Sequence, residues 1–134
     1  MKLSRSTGYA VLAVGYIAQR QGQGIVLSQD IAEAYDIPLE YLLKILQQLV
    51  RADILHSKRG PRGGFSLGKS TNKISLLDIL EAVDGPLTGK LHLAKQAKGQ
   101  RFSVQADKVY QKAIAQARAV FAKAKVSALL GSKK

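Results

Sequence analysis

The chain has 134 residues and no cysteine, and its 21 lysines and arginines outnumber its 9 aspartates and glutamates for a formal net charge of +12. This length fits one domain, or a small domain with an added helix. Without cysteine the chain cannot form disulfides, thiolate metal sites or cysteine-held iron–sulfur clusters. The excess of cations indicates an anionic partner, either nucleic acid or a membrane surface.

The positive charge is concentrated in the C-terminal third. Residues 1–87 hold ten Lys and Arg against eight Asp and Glu, whereas residues 88–134 hold eleven against one, Asp107. We therefore divide the chain into a domain over residues 1–87 and a basic C-terminal part. No apolar run is long enough to span a membrane. The run Tyr9–Ala18 imitates a signal peptide but has helical spacing and no small-residue cleavage pattern, so we expect a cytoplasmic protein.

Three short helices are predicted in the first part of the chain. They run from an N-cap at Ser4 or Ser6 to about Gln21, from Gln29 to Tyr35 with Ser28 as N-cap, and from about Leu39 to Ala52. Pro38 separates the second from the third, because proline disfavours helix in the residue before it and suits the first turn of the next helix. Apolar residues recur along the third helix at helical spacing, which predicts one buried face.

A hairpin is predicted after the third helix. Residues 54–57 and 65–67 read as strands and flank the loop Lys58–Gly64, which is rich in glycine and cations and also contains proline. Ser75 is then predicted to cap a fourth helix, Leu76–Val83.

The C-terminal part is predicted to be a loop followed by one long helix. We expect no regular element in residues 88–103, a helix over residues 104–130 and a short tail at 131–134. Gly131 is the predicted stop of the helix.

Two short helices with a three-residue break, followed by a hairpin, have the order of a winged helix–turn–helix, so the predicted fold is mainly α. In this arrangement the later helix of the pair, here the predicted third helix, enters the DNA major groove while the earlier one crosses the backbone. The outward face of the third helix would hold Glu40, Tyr41, Lys44, Gln47, Gln48 and Arg51. Lys, Arg and Gln suit base edges and phosphates, and arginine in a glycine-rich loop suits a narrow groove.

The candidate DNA-contacting residues come from the start of the second helix, from the third helix and from the loop. They are Ser28, Gln29, Glu40, Tyr41, Lys44, Gln48, Arg51, Lys58, Arg59, Pro61, Arg62 and Gly63. Polar residues opposite an apolar stripe occur on any surface helix, and a basic loop alone can be a solvated turn. Glu40 either reads a cytosine amino group or caps the helix.

Several segments of this chain resemble one family. They are Met1–Ser4, Leu27–Glu33, Ile37–Leu42, Arg59–Leu67 and Ile74–Pro86. Over roughly residues 1–87 the chain resembles the IscR-type winged-helix regulators, also called the Rrf-two family, and the hairpin loop is the most specific part. The resemblance implies a bacterial transcription factor that binds a near-palindromic operator as a homodimer, with Arg59 in the minor groove.

The chain departs from the cluster-binding members of that family. Those relatives place three cysteines between the fourth helix and the last helix, whereas residues 87–103 contain none here. His92 is the only potential metal ligand in this window, and we interpret it as a surface or packing residue. We therefore predict no cofactor. The signal is expected to be an unidentified protein or small-molecule effector.

The last helix carries an apolar seam that predicts a dimer contact. Its residues follow heptad-like spacing: Tyr110, Ile114, Ala117, Phe121 and Ala124, with Ala128 beyond them. The alternative is that this seam packs on its own domain, and both arrangements can hold together. Five cations of this segment, Lys108, Lys112, Arg118, Lys123 and Lys125, are expected on the solvent side.

The leading interpretation is a sequence-specific DNA-binding transcriptional regulator, acting as a homodimeric repressor on double-stranded DNA. The second is a nonspecific nucleic-acid-binding or chromosome-associated protein that uses the same basic loop and C-terminal part. The third is a membrane-surface or protein-partner module built on the last helix. No nucleophile–base constellation is recognisable, so an enzyme is not expected.

Overall fold

The computed structural model describes residues 3–60, 63–88 and 92–131. The helices in these ranges are α1 (Arg5–Gln19), α2 (Ser28–Tyr35), α3 (Leu39–Arg51), α4 (Leu76–Asp84), α5 (Leu93–Gln96), α6 (Arg101–Lys123) and α7 (Val126–Leu129). An antiparallel hairpin pairs β1 (Leu55–Lys58) with β2 (Gly64–Leu67), and a 3-10 turn spans Thr71–Lys73. None of the helices in the described ranges has the length and apolarity needed to cross a bilayer.

The core lies between α1, α3 and α4, with α2 and the hairpin closing its sides. Its largest fully buried side chains are Val14, Ile31, Leu42, Ile45, Leu46, Leu49, Ile54, Leu55, Ile74 and Ile79. Four of these, all from α3, follow the apolar spacing seen in the sequence, so α3 is fixed by the core on one face and leaves the other free.

Two of the predicted helix caps are present and one is not. The Ser4 hydroxyl accepts a hydrogen bond from the Thr7 N–H at 3.2 Å, and Ser75 forms a reciprocal capping box with Asp78 at the start of α4. The prediction that Ser28 caps the second helix is wrong. Ser28 is already the first residue of α2, and the residue before it, Leu27, provides no side-chain cap.

Asp84, at the end of α4, ties that helix to the start of α1. Its carboxylate accepts hydrogen bonds from the Ser4 N–H at 3.4 Å, from the Ser4 hydroxyl at 2.7 Å and from the Thr7 hydroxyl. Burial raises the pKa of Asp84, but the hydrogen bonds from Thr7 and Ser4 together outweigh burial and bring the pKa below its ordinary value.

We expect an Asp84→Asn chain to be less stable than the wild type at pH 7, with the difference shrinking below about pH 4. The lowered pKa means that ionisation of Asp84 favours the folded state above the unfolded pKa of about 3.9, and this contribution is lost as the pH falls through the folded pKa. Urea unfolding at both pH values measures the effect. Asp53→Asn is the control, and an equal difference for Asp84→Asn at both pH values would contradict the assignment.

The end of the chain differs from the predicted single helix over residues 104–130. The long helix α6 ends at Lys123, after which residues 124–125 are extended and return to the start of α4 before α7 begins at Val126. The Leu76 N–H donates to the Ala124 carbonyl at 2.9 Å, and the Val126 N–H donates to the Ile74 carbonyl at 2.8 Å. Val126 is also buried in the core. The helix therefore breaks because core packing and backbone pairing favour an extended segment here, and the C-terminal part is not a detached appendage.

The segment predicted as an unstructured loop over residues 88–103 also contains helix. α5 occupies Leu93–Gln96, and α6 begins at Arg101. The Asp107 carboxylate accepts hydrogen bonds from the N–H groups of Leu93 at 3.1 Å and Ala94 at 2.8 Å, so it satisfies the free donors at the start of α5. Sequence spacing does not reveal this cap, because Asp107 lies more than ten residues downstream.

Candidate nucleic-acid interface

Helix α3 presents a polar stripe opposite its buried face. Glu40, Lys44, Gln47 and Arg51 are all exposed, and their spacing of four, three and four residues places them on one line of the helix. Glu40 lies in the first turn and Arg51 in the last, which complements the helix dipole at both ends. Gln47 lies at the centre of this stripe, although the candidate set from the sequence omitted it in favour of Gln48.

The two remaining predicted residues of α3 lie at the edge of the stripe. Gln48 is half-buried. Tyr41 is 38% exposed, its hydroxyl forms a hydrogen bond with Ser6, and its ring packs edge-on against Tyr9 with centroids 5.6 Å apart. Tyr41 therefore anchors the start of α3 on α1 and stays partly exposed to solvent.

The hairpin is held beside α2 by a backbone pairing that the sequence did not reveal. The Val26 N–H donates to the Phe65 carbonyl at 2.9 Å, and the Phe65 N–H donates to the Val26 carbonyl at 2.8 Å. Val26 and Phe65 are both buried. This bridge fixes β2 next to the residues that lead into α2.

As a result, the first turn of α2 and the basic loop line one open cleft of about 380 Å³. Ser28 and Gln29 lie on one side of it, and Lys58 and Arg59 lie on the other. The Gln29 amide donates to Glu33 at 3.3 Å. Neither loop cation forms an ion pair with a described residue, so both add to the positive potential of a cleft that opens at a helix N-terminus. Pro61 and Arg62, which the sequence also predicted here, lie outside the described residues.

Close backbone packing explains the glycines of this loop. A Cβ atom on Gly63 would lie 2.2 Å from the Lys58 carbonyl oxygen, and one on Gly64 would lie 2.3 Å from Ile25 Cγ2 and 2.5 Å from the Val26 carbonyl oxygen. The Gly63 N–H also donates to the Gly60 carbonyl at 2.9 Å, and Gly60 has a φ of 108°. The loop can therefore turn tightly only with glycine at these positions.

A Gly64→Ala substitution should separate the hairpin from α2. Because the added methyl group meets backbone and side-chain atoms of the Val26 segment, we expect a loss of about 1–3 kcal/mol of stability and weaker duplex binding. Gly8→Ala in α1 is the matched control. Apart from its chain neighbours and the backbone of its own helix, no atom lies within 4 Å of its added Cβ, and this substitution should stabilise the helix by up to about 1 kcal/mol. Urea unfolding distinguishes the two, and equal effects would contradict the close packing at Gly64.

The predicted seam of α6 faces partly toward its own domain. Ile114, Ala117 and Phe121 are half-buried, and Tyr110 and Ile114 line a pocket together with Leu80 of α4. Arg118 joins α6 to α4 through an ion pair with Glu81 and a hydrogen bond to the Leu87 carbonyl at 3.2 Å.

The remaining seam residue, Ala124, lies beyond the end of α6 and bonds to Leu76 as described above. A second apolar line on α6 is more exposed than the predicted seam. Phe102, Val109 and Val120 are 84%, 69% and 67% exposed. We call these three residues, with Ala113 between them, the exposed edge of α6. It adjoins an open apolar groove of about 600 Å³ lined by Ala106, Val109, Tyr110, Ala113, Ile114 and Ala117.

The residues between α4 and α6 do not fit a metal cluster. The sequence supplies no thiolate anywhere, and both oxygens of Asp107 already accept backbone N–H groups. His92 is exposed, and no group of three or more potential metal ligands occurs among the described residues.

A three-helix core with a paired helix–turn–helix and a two-stranded wing defines the winged helix–turn–helix class, which confirms the predicted fold. The family model described as "Rrf2: Iron-dependent Transcriptional regulator" matches residues 3–130. The chain therefore belongs to the Rrf2 family, the IscR-type family that the sequence resembles. Proteins of this family are transcriptional regulators and not enzymes.

Individual relatives agree with this membership. An HTH-type transcriptional regulator IscR of Pectobacterium carotovorum is 38% identical over 84 residues, which are 63% of this chain and 51% of that protein. The chain spans about half the length of the curated relatives it matches first. The solved structure of T. potens IscR has a TM-score of 0.74 at 25% identity, covering 97% of this chain and 86% of that one.

A second solved structure shares the fold alone. CymR, described as the global cysteine regulator of B. subtilis, has a TM-score of 0.80 at 21% identity and covers 100% of this chain and 99% of its own.

Proposed function

We propose that this chain is a sequence-specific, double-stranded-DNA-binding regulator of transcription that acts in the cytoplasm as a homodimeric repressor. The observation that carries the proposal is the placement of two features side by side. One is the exposed polar stripe of α3 (Glu40, Lys44, Gln47 and Arg51), and the other is the cleft between the start of α2 and the loop cations Lys58 and Arg59. The Val26–Phe65 bridge aligns the wing with the start of α2, and α2 packs directly on α3. One duplex can therefore meet all three elements at once.

Each element has a separate role in this proposal. Lys44, Gln47 and Arg51 read base edges in the major groove, because Lys and Arg pair with guanine and Gln pairs with adenine. The start of α2 and Lys58 hold backbone phosphates, which fixes the position of the chain without reading sequence. Arg59 enters the adjacent minor groove, where the negative potential is strongest.

The exposed edge of α6 supports the homodimer. Phe102, Val109 and Val120 expose large apolar side chains beside an apolar groove, and apolar surface of this kind marks protein–protein contact sites. A second copy of α6 would cover the edge and groove together. The contact would then involve Val109, Ala113 and Val120, each one residue before a position of the predicted heptad seam. Tyr110 and Ile114 would contact both their own domain and the partner.

A dimer also meets a requirement of operator recognition. One short recognition helix contacts too few base pairs to single out a site, whereas two related by a twofold axis read an inverted repeat about one helical turn apart. Dimerisation through α6 would leave the outward face of α3 and the wing free, because α6 packs mainly on α4 and α5.

The purified protein should be colourless and free of stoichiometric iron. The donor set between α4 and α6 contains no thiolate, and the candidate carboxylate is engaged by backbone N–H groups. Elemental analysis and the visible absorption spectrum check this expectation. About one or more iron atoms per chain would contradict it.

Selection of bound sequences from a random duplex pool tests the proposed function. The wild type should enrich an inverted repeat. Lys44→Ala or Gln47→Ala should change the preferred bases within each half-site, whereas Lys58→Ala should preserve the consensus and lower the salt slope by about one. A pool that is bound but not enriched would identify a nonspecific nucleic-acid-binding protein instead.

A further inference from the structure

The long helix α6 carries a row of cations that operator reading does not use. Arg101, Lys108, Lys112 and Lys123 are all exposed. At the helical repeat their positions fall within about 60° of arc, and the row extends about 33 Å along the axis. We call these four residues the basic stripe.

Among the described residues, no acidic group pairs with the basic stripe. Asp107 is the only acid in residues 88–134, and its carboxylate is engaged by the start of α5. None of the four cations forms an ion pair with a described residue, whereas Arg118 on another face of α6 pairs with Glu81. A helix exposed only for solubility typically intersperses charges of both signs. This single-signed row therefore indicates an anionic partner.

The body of the domain separates the basic stripe from the proposed operator surface, which consists of α3 and the wing. α4 contacts both α3 and α6. Tyr110 and Ile114, which line a pocket with Leu80 of α4, lie on the side of α6 opposite the stripe. A duplex seated on α3 and the wing would therefore lie across the domain from the stripe.

We propose that the basic stripe is a second, sequence-independent binding site for duplex DNA, so that an operator-bound chain can hold another duplex segment. The length of the row is about that of one turn of B-form DNA, about 34 Å, so cations at its ends and centre can meet phosphates on both sides of a groove. Gln105, which shares the stripe, adds an amide that can donate to phosphate.

The surface of α6 is better suited to duplex DNA than to a membrane. A helix lying on a bilayer buries a broad apolar face with cations on its polar face. On α6 the exposed edge is narrow and has the stripe on one side. On its other side lies the face packed against α4, which carries Tyr110 and Ile114. That packing would prevent the helix from sinking into the headgroup region.

The test compares two variants of the full chain with the same change in net charge. The stripe variant carries Arg101→Gln, Lys108→Gln, Lys112→Gln and Lys123→Gln, and glutamine maintains helix propensity. The control variant carries Lys69→Gln, Lys73→Gln, Lys95→Gln and Lys98→Gln, at exposed positions outside the stripe. Both are also made in a Lys58→Ala, Arg59→Ala background, which weakens the operator surface.

The first measurement is anisotropy of a labelled random-sequence duplex at several salt concentrations. In the weakened background the stripe variant should lose at least about tenfold in affinity, and the slope of log K against log salt should fall by about three to four, since each phosphate contact contributes about 0.9. The control variant should lose no more than about threefold. Equal affinity and slope for the stripe and control variants would overturn the proposal.

The second measurement is capture of a second duplex. The otherwise wild-type chain, immobilised on its selected sequence, should retain a labelled random duplex at low salt, and the stripe variant should lose most of this retention while still enriching the same sequence. Failure of the wild type to retain the second duplex would overturn the proposal. Stripe-dependent binding to phosphatidylglycerol vesicles with unchanged duplex binding would also overturn it, in favour of a membrane contact. Selection of sequences from the random duplex pool is measured separately, so the proposed function can fail or hold independently of this second binding site.

Discussion

A Val109→Glu chain is expected to sediment as a folded monomer, whereas the wild type sediments as a dimer. Val109 is 69% exposed in the single chain, so a glutamate there stays solvated in the monomer and leaves the core intact. In the proposed dimer the same carboxylate would be buried without a partner, which costs at least about 3 kcal/mol, or roughly a hundredfold in the dimer dissociation constant.

The position of the substitution separates loss of the dimer from loss of the fold. Phe121→Glu at the predicted seam changes a half-buried side chain and would disturb packing within the chain as well as the dimer. Gln21→Glu is the matched control for Val109→Glu, because it adds the same charge at an exposed position outside α6. Sedimentation velocity with circular dichroism distinguishes these cases. A dimeric Val109→Glu chain, or a monomeric wild type, would rule out the proposed contact.

An Arg59→Ala chain is expected to lose about 1–3 kcal/mol of operator affinity with no loss of stability. Arg59 is exposed directly after β1, lines the cleft at the start of α2, and has no ion-pair partner among the described residues. Its removal therefore affects the bound state alone. Arg59→Lys should restore the salt dependence but not the full affinity, since lysine lacks the planar fork of guanidinium.

Anisotropy titrations on the selected duplex measure this effect. Lys69→Ala, at an exposed position beyond the far end of β2, controls for the loss of one positive charge from the same hairpin. If Arg59→Ala and Lys69→Ala weaken binding equally, the wing adds only general attraction and does not enter a groove.

The order of the elements could be predicted because its signals are local. The apolar spacing of α3, the break at Pro38 and the glycine-rich loop are each visible within a few residues, and the structure has a helix, a helix boundary and a hairpin turn there. The exposed stripe of α3 follows from the same spacing. The same spacing also identifies Gln47 as the central residue of the stripe, since Gln47 lies three positions after Lys44.

The features that could not be predicted depend on contacts between distant residues. The Val26–Phe65 bridge, which aligns the wing with α2, pairs two segments far apart in sequence and leaves no local pattern. The break after Lys123 falls in a segment rich in helix-forming residues, and only its pairing with Ile74 and Leu76 makes it extended. Likewise, the spacing along α6 predicts an apolar face, but only the packing on α4 shows which part of that face stays exposed.

Hydroxyl-radical footprinting on the selected duplex tests the central claim most directly. Two recognition helices on one face of the DNA should protect two patches related by twofold symmetry, about one helical turn apart, each flanked by minor-groove protection that disappears in the Arg59→Ala chain. A single protected patch, or uniform weak protection along the duplex, would contradict a homodimer that reads an operator through α3 and the wing.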